Sequence, residues 1–259
     1  MQHLTRRDVL KLLGTLGLAL PASSVLMGCD SNRTPFDGEV LIVGSGAAGM
    51  ASGYLLAQAG LPFRILEASP RYGGRMKSTD SFVDFPIPLG AEWLHVSPDE
   101  LRATVNDSSV EITTQTIPYQ PDDTFGYAEN GTYEVVELTD GDRKFVGTTW
   151  LDFFKAYIVP SVESAMQFET EIVTVDYQTD RVVLTDRAGA TYEADKVIVT
   201  VPMKILQQGR VTFAPELPAR MQRAIRDANI WSGIKVFLEF REPFYPTFLG
   251  FPDSMTDRG

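Results

Sequence analysis

Three glycines, one carboxylate and one lysine are the residues whose types and spacing could do chemistry in this chain. Gly44, Gly46 and Gly49 follow the apolar run Val40-Leu41-Ile42-Val43 and open a helix-like segment, Ala47 to Ala59, that Gly60 is placed to end. In that order the first glycine permits a tight turn, the second lets the backbone approach a pyrophosphate, and the third allows close helix–strand packing. Unpaired amides at the helix start then face the phosphates. A second apolar run, Phe63 to Leu66, closes on Glu67, roughly 20 residues past the glycines, where an acceptor for a ribose hydroxyl belongs. A carboxylate there suits a free 2′-hydroxyl and repels a 2′-phosphate. The segment reads as a βαβ unit that favours FAD or NAD over NADP.

Two further groups are chemically suggestive but ambiguous on residues alone. Arg71-Tyr72-Gly73-Gly74-Arg75 sets two cations around a glycine pair just past the ribose position, which suits a loop folded over a diphosphate and equally a surface salt-bridge loop. Lys235 lies in Ser232-Gly233-Ile234-Lys235-Val236-Phe237-Leu238-Glu239-Phe240. Alternation there predicts a strand with Lys235, Phe237 and Glu239 on one face and Ile234, Val236 and Leu238 on the other. By periodicity alone Lys235 is a solvent-facing lysine. His95 and His3 are the two histidines, too few for a metal site with spacing partners, and no GxSxG serine supports hydrolysis. On the residues alone His95 reads as structural.

Taken together, these segments resemble the flavin-containing amine oxidase family. The shared features are the GxGxxG turn, the strand ending in Leu66-Glu67-Ala68, and the RxGGR loop from Arg71 to Arg75. Further along come Leu89-Gly90-Ala91-Glu92-Trp93-Leu94-His95, the strand Ala194-Asp195-Lys196-Val197-Ile198-Val199-Thr200-Val201-Pro202, and the lysine segment. The resemblance implies FAD contacts from Gly44, Gly46, Ala47, Ala48, Gly49, Glu67 and Ala68. It implies others from Arg71, Gly74, Arg75, Gly90, Ala91, Glu92 and Trp93, with Val173 meeting the adenine through its backbone. It places His95 and Trp93 in the substrate pocket and makes Lys235 the residue that holds a water beside the flavin. The implied reaction is oxidation of an amine to an imine with O2 as acceptor. Family members are considerably longer and close the FAD site with a C-terminal segment, so the resemblance leaves a missing C-terminal piece to be expected. Two alternatives stay open: a non-catalytic remnant or binding subunit of the same fold, and a related FAD desaturase or protoporphyrinogen-type oxidase, which would not explain Lys235.

Composition sets broader bounds. At 259 residues with 44% hydrophobic content the chain can bury a proper core, and a net charge of −11 argues against nucleic acid as a partner while favouring cationic substrates. Thr5-Arg6-Arg7-Asp8-Val9-Leu10-Lys11 followed by an apolar run from Leu12 to Met27 resembles a twin-arginine export signal. Leu26-Met27-Gly28-Cys29 resembles a lipobox, in which Cys29 would be lipidated and tether the protein to a membrane surface; a plain signal peptide is the alternative. The expected location is periplasmic or otherwise extracytoplasmic. Cys29 is the single cysteine, so no thiol remains for a metal site or a cysteinyl–flavin link, and FAD is expected to be non-covalent.

The elements that must position these residues follow from the same patterns. The expected fold is α/β: a Rossmann-like FAD/NAD(P)-binding domain with an inserted β-meander and a partial substrate cap. The expected division is 1–29 signal, 36–97 first FAD-binding part, 98–164 reduced cap, 165–206 second FAD-binding part, and 207–259 start of a substrate domain with the lysine strand. Trp150 to Val162 is apolar at helical spacing, an aromatic stripe that belongs to a core. Ile172 to Tyr177, Arg181 to Thr185 and Thr191 to Ala194 predict a meander, Lys196 to Val201 a buried strand, and Ala219 to Ala228 a helix.

Overall fold

The computed structural model describes residues 36–119, 125–129, 132–136, 142–230, 233–242 and 248–250. These fall into two units, one of residues up to Gly74 with Ile158–Ile230, the other of Arg75–Tyr157 with the described residues beyond 232. The signal-like segment and Cys29 lie outside the described residues.

Strand β1 (Val40–Val43) is buried along its whole length, as its unbroken apolar run requires. Gly44 turns the chain at φ +100°, α1 (Ala47–Gln58) follows, and Gly60 at φ +69° releases the chain toward β2 (Phe63–Leu66). A Cβ on Gly53 would lie 2.9 Å from the Phe63 ring and 3.0 Å from Ile65, so this glycine sets how closely α1 approaches β2. Beyond Gly74, β3 (Ser78–Thr79) and β4 (Ile87–Pro88) pair antiparallel. Helix α2 (Pro98–Val105) begins on a capping box: Ser97 Oγ accepts from the Glu100 amide at 3.2 Å and Glu100 Oε2 accepts from the Ser97 amide at 2.8 Å. Strands β5 (Thr116–Pro118), β6 (Phe125–Glu129), β7 (Thr132–Val136) and β8 (Arg143–Phe145) pair as β5 with β8 and β6 with β7, both antiparallel.

Helix α3 (Trp150–Tyr157) is shorter than the aromatic periodicity predicts. Pro160 lacks the amide that would continue it, and the chain passes into two 3₁₀ turns, Val159–Ser161 and Glu163–Ala165. The stripe is core as expected, with Phe153, Phe154 and Ile158 buried. The first unit then resumes with β9 (Met166–Gln167), β10 (Ile172–Asp176), β11 (Val182–Asp186), β12 (Thr191–Ala194) and β13 (Lys196–Val199). Helix α4 (Met203–Gln207), β14 (Thr212–Ala214) and α5 (Ala219–Asp227) complete it, and β15 (Phe248–Gly250) joins β6 in the second unit.

Two sheets organise the first unit. The parallel sheet has the order β13-β1-β2-β9, with Ile42 opposite both Ile198 and Ile65. The second has the order β12-β11-β10-β14. Leu41, Val43 and Leu66 from the first pack with Ile172, Val175, Leu184, Ala194 and Val211 into one buried cluster. The alternate residues Leu41 and Val43 therefore serve the meander, while α1 packs on β2 through Gly53. The expected α/β fold with a β-meander beside a parallel sheet is present.

One expected element differs. Residues 233–240 form no strand ladder among the described residues, and Ile234, Val236 and Leu238 are 89%, 70% and 69% exposed. The apolar positions point outward, with no described strand over them, and of the other face only Phe237 is half-buried; Lys235, itself exposed, is tied back by its ion pair with Glu92.

Candidate functional site

The glycine turn has the geometry that a phosphate-binding turn needs. Gly46 is the N-cap of α1 without a side-chain cap, no acidic residue stands in the first helical turn, and Ala47 and Ala48 are exposed. The first four amides of a helix have no partner within it, so they are left to solvent or an anion. A Cβ on Gly46 would meet nothing within 4 Å, whereas one on Gly49 would run into the Gly44 carbonyl. Gly46 thus keeps the approach clear and Gly49 lets the helix close on the turn. The residues present fit a diphosphate.

Glu67 stands at the end of β2, beside this turn. Its Oε2 accepts from the Ser45 amide at 2.7 Å and the Ser45 hydroxyl at 2.8 Å; its Oε1 accepts from the Ser69 amide at 2.9 Å and the Ser69 hydroxyl at 2.7 Å. Burial pushes its carboxyl up, but these four donors outweigh burial and hold it below its ordinary 4.5. Four donors use the four lone-pair positions of a carboxylate. A ribose hydroxyl therefore needs one of them to turn away. Ser69 can do so, because its Oγ also lies 2.6 Å from the Arg71 carbonyl and one hydroxyl proton serves only one acceptor. Glu67, read from the sequence as the acceptor for a ribose hydroxyl, is a carboxylate already engaged by four donors, one of which, the Ser69 hydroxyl, has the Arg71 carbonyl as a second acceptor.

The neighbouring loop is held to itself. Arg71 donates to the carbonyls of Tyr72 at 3.1 Å and Gly74 at 3.3 Å, and the Gly73 amide donates to the Ser45 carbonyl at 2.9 Å. The Arg71 guanidinium is spent on its own loop and shapes it. Val173 sits where the β10–β11 register shifts between Ile172 and Thr174, and its carbonyl accepts from Thr212 Oγ1 at 3.1 Å. Next to it Glu171 binds Arg187 and Arg210; the Arg187 bond is the main reason that its carboxyl falls to about 2. This ion-pair staple fixes the bulge on which Val173 rides.

In the second unit, Gly90 is small for a physical reason, since a Cβ there would collide with the Arg75 carbonyl, which also accepts from the Ala91 amide at 3.2 Å. Glu92 and Lys235 meet: Lys235 Nζ donates to Glu92 Oε2 at 2.8 Å and to the Pro88 carbonyl at 3.1 Å. Glu92 Oε1 accepts from Lys144 Nζ at 2.7 Å. Burial raises the Glu92 carboxyl, and the two lysines more than offset it, leaving the group below its ordinary 4.5. Trp93 stacks edge to face with Tyr119, and its carbonyl accepts from Trp150 Nε1 at 3.0 Å. His95, its side chain 72% exposed, pairs with Asp142 at 2.6 Å.

Sequence reasoning missed Ser45, Ser69, Lys144 and Tyr119. Ser69, two residues past Glu67, carries a local signal, because a serine so placed can fold back onto a neighbouring side chain. Lys144 and Tyr119 carry none, since Lys144 meets Glu92 and Trp93 beside the bridge between Leu94 and Arg143, and Tyr119 joins them through the pairing of β5 with β8.

A parallel sheet, an uncapped helix on a glycine turn and an acidic residue at the end of the next strand define an α/β dinucleotide-binding protein. The family model described as flavin containing amine oxidoreductase matches residues 47–165 and 156–259, and the chain belongs to that family, with FAD as its cofactor. Polyamine oxidase 3 of Oryza sativa subsp. japonica is 22% identical over 91% of this chain and 66% of its own length. Lysine-specific histone demethylase 2 of Homo sapiens is 24% identical over 90% of this chain and 39% of its own length. The wild-type putrescine oxidase solved with putrescine superposes with a TM-score of 0.58 at 14% identity, over 74% of this chain and 63% of the other, a likeness of fold. The chain spans just under two thirds of the length of the polyamine oxidase.

Proposed function

We propose that this chain is the core of an FAD-dependent oxidase that converts an amine to an imine with O2 as acceptor. Lys235 is the observation that carries the reading. Two of its three N–H groups are held, by Glu92 and the Pro88 carbonyl, so the third has a fixed direction in which to present a water. The diphosphate belongs at the amides of Ala47, Ala48 and Gly49 with Gly46 giving clearance, and the adenosine ribose at Glu67 after Ser69 turns to Arg71. Bound flavin supplies a two-electron acceptor for the amine carbon. The chain's own groups bind, orient and hold charge: Glu92 holds Lys235 in place through their ion pair, Trp93 lines the amine side, and His95 with Asp142 offers a proton-handling pair.

The test is direct. Purified protein is expected to be yellow, and anaerobic addition of 1,4-diaminobutane, spermidine or benzylamine should bleach the flavin, with air restoring it. A folded, colourless protein that takes up no added FAD would favour the non-catalytic reading of the same fold. Flavin that binds but is bleached by none of these amines would reject amine oxidation. In Lys235→Met, an unchanged rate of reoxidation by air would remove Lys235 from the reaction. Export through the twin-arginine-like segment and lipidation of Cys29 are a separate proposal. Fractionation of cells bearing Cys29→Ala is expected to move the protein from the membrane to the soluble extracytoplasmic fraction.

A further inference from the structure

Lys144 sits in surroundings that look built for an ammonium ion. Its Nζ lies 4.4 Å from the centroid of the Trp93 ring and 4.9 Å from that of Tyr119, and it bonds to Glu92 Oε1 at 2.7 Å. Both distances fall inside the range in which a ring face attracts a cation. The rings themselves are 4.3 Å apart at 80°, so a single ammonium reaches both. The Lys144 and Glu92 side chains are about two-thirds withdrawn from water, at 32% and 29% exposure, which limits screening of the charges. Trp93 is further anchored by the bond from Trp150 Nε1 to its carbonyl.

A lysine side chain is four methylenes ending in a primary ammonium, the same chemistry as one end of an aliphatic diamine. We propose that Glu92, Trp93 and Tyr119 form a recognition site for the primary ammonium end of an aliphatic di- or polyamine, and that Lys144 is its resident occupant, displaced when the ligand binds. The exchange preserves charge, one ammonium leaving as another enters. Glu92 keeps its place during it, because Lys235 holds the other carboxylate oxygen at 2.8 Å. Removing Lys144 takes its ammonium from Oε1 and from both rings together. The site deepens the amine-oxidase reading by naming its substrate class, and it can be tested without turnover.

The probes are n-propylammonium and 1,4-diaminobutane, titrated calorimetrically into the full chain as purified, with sodium chloride matched for ionic strength. Lys144→Ala is expected to bind both about tenfold tighter than the wild type, the scale of one desolvated cation–π and ion-pair contact. It should also gain thermal stability with added n-propylammonium, where the wild type does not. Adding Glu92→Gln or Tyr119→Leu to Lys144→Ala should abolish the gain. Equal affinity of Lys144→Ala and wild type, or a gain that survives Glu92→Gln, overturns the proposal. Should the alanine variant fail to fold, Lys144→Met, which keeps the side-chain bulk without the charge, takes its place in the same titrations, and equal affinity of Lys144→Met and wild type rejects displacement. The two readings separate cleanly. Ammonium rescue without amine-driven bleaching rejects the oxidase and keeps the site; bleaching without rescue does the reverse.

Discussion

Glu67 and Lys235 are both charges held at a chosen point, and they are held by opposite means. Glu67 stands at the end of a buried strand, and its four donors come from Ser45 and Ser69, at most 22 positions away. Lys235 stands in a segment without a strand partner among the described residues, and its acceptors, Pro88 and Glu92, lie 147 and 143 positions earlier. Backbone amides from a rigid turn place the first; an ion pair between flexible, part-exposed side chains places the second. Pairs of that kind contribute about 0–1 kcal/mol. A recognition group set by backbone is difficult to displace, whereas one set by side chains can be retuned by changing a partner.

The sharpest way to break that contrast is at Gly49. A valine there pushes its Cβ into the Gly44 carbonyl, and urea denaturation should report a loss of about 3 kcal/mol or no folded protein at all. Gly46→Ala, facing open space, should leave stability near the wild type while weakening FAD. If Gly49→Val proved harmless, the turn would not be the rigid partner in the comparison.

A smaller effect should separate the two charges themselves. Glu67→Gln leaves buried donors imperfectly matched and should cost about 1–3 kcal/mol at neutral pH, against about 0–1 kcal/mol for Lys235→Met. The pH dependence adds a signature. Because the folded-state value of Glu67 lies below the ordinary 4.5, its stabilisation is complete above about 4.5 and is lost as pH falls through that lowered value. Urea midpoints measured at falling pH below 4.5 should therefore draw together for wild type and Glu67→Gln.

The smallest expected change concerns the outward stripe. Ile234→Ser and Leu238→Ser should each shift stability by no more than about 0.5 kcal/mol, as exposed positions do. A loss above 2 kcal/mol in either would mean that this face is covered in solution.

Much of the first unit was legible in the sequence, for reasons visible in particular residues. An unbroken apolar run fixed β1 and a largely apolar one β2, Gly44 and Gly60 marked the turns that only positive φ allows, and Asp186 to Gly189 marked a meander turn. Pro160 was equally legible as the stop for α3, but the apolar segment running past it to Val162 argued for a longer helix. Lys235 was different. Alternation specified two faces and made Lys235 solvent-facing, but its ion pair with Glu92 depends on what lies against the segment, which no local pattern shows. The meeting of Lys144 with Trp93 depends on strand pairing between residues far apart, and no local pattern encodes it.

The backbone of Glu67 is itself gripped from a distance. Its amide donates to the Gln167 carbonyl at 2.8 Å, its carbonyl accepts from the Thr170 amide at 2.8 Å, and Glu169, at φ 54°, donates to the Ser69 carbonyl at 3.2 Å. The chain that leaves after Ser69 and returns at Gln167 is thus closed at its two ends by this clasp. The entropy of closing such a loop grows only with the logarithm of its length, roughly 0.6 kcal/mol for each doubling. Relatives can therefore enlarge or trim that excursion, and with it whatever it recognises, while the clasp at Glu67 stays unchanged.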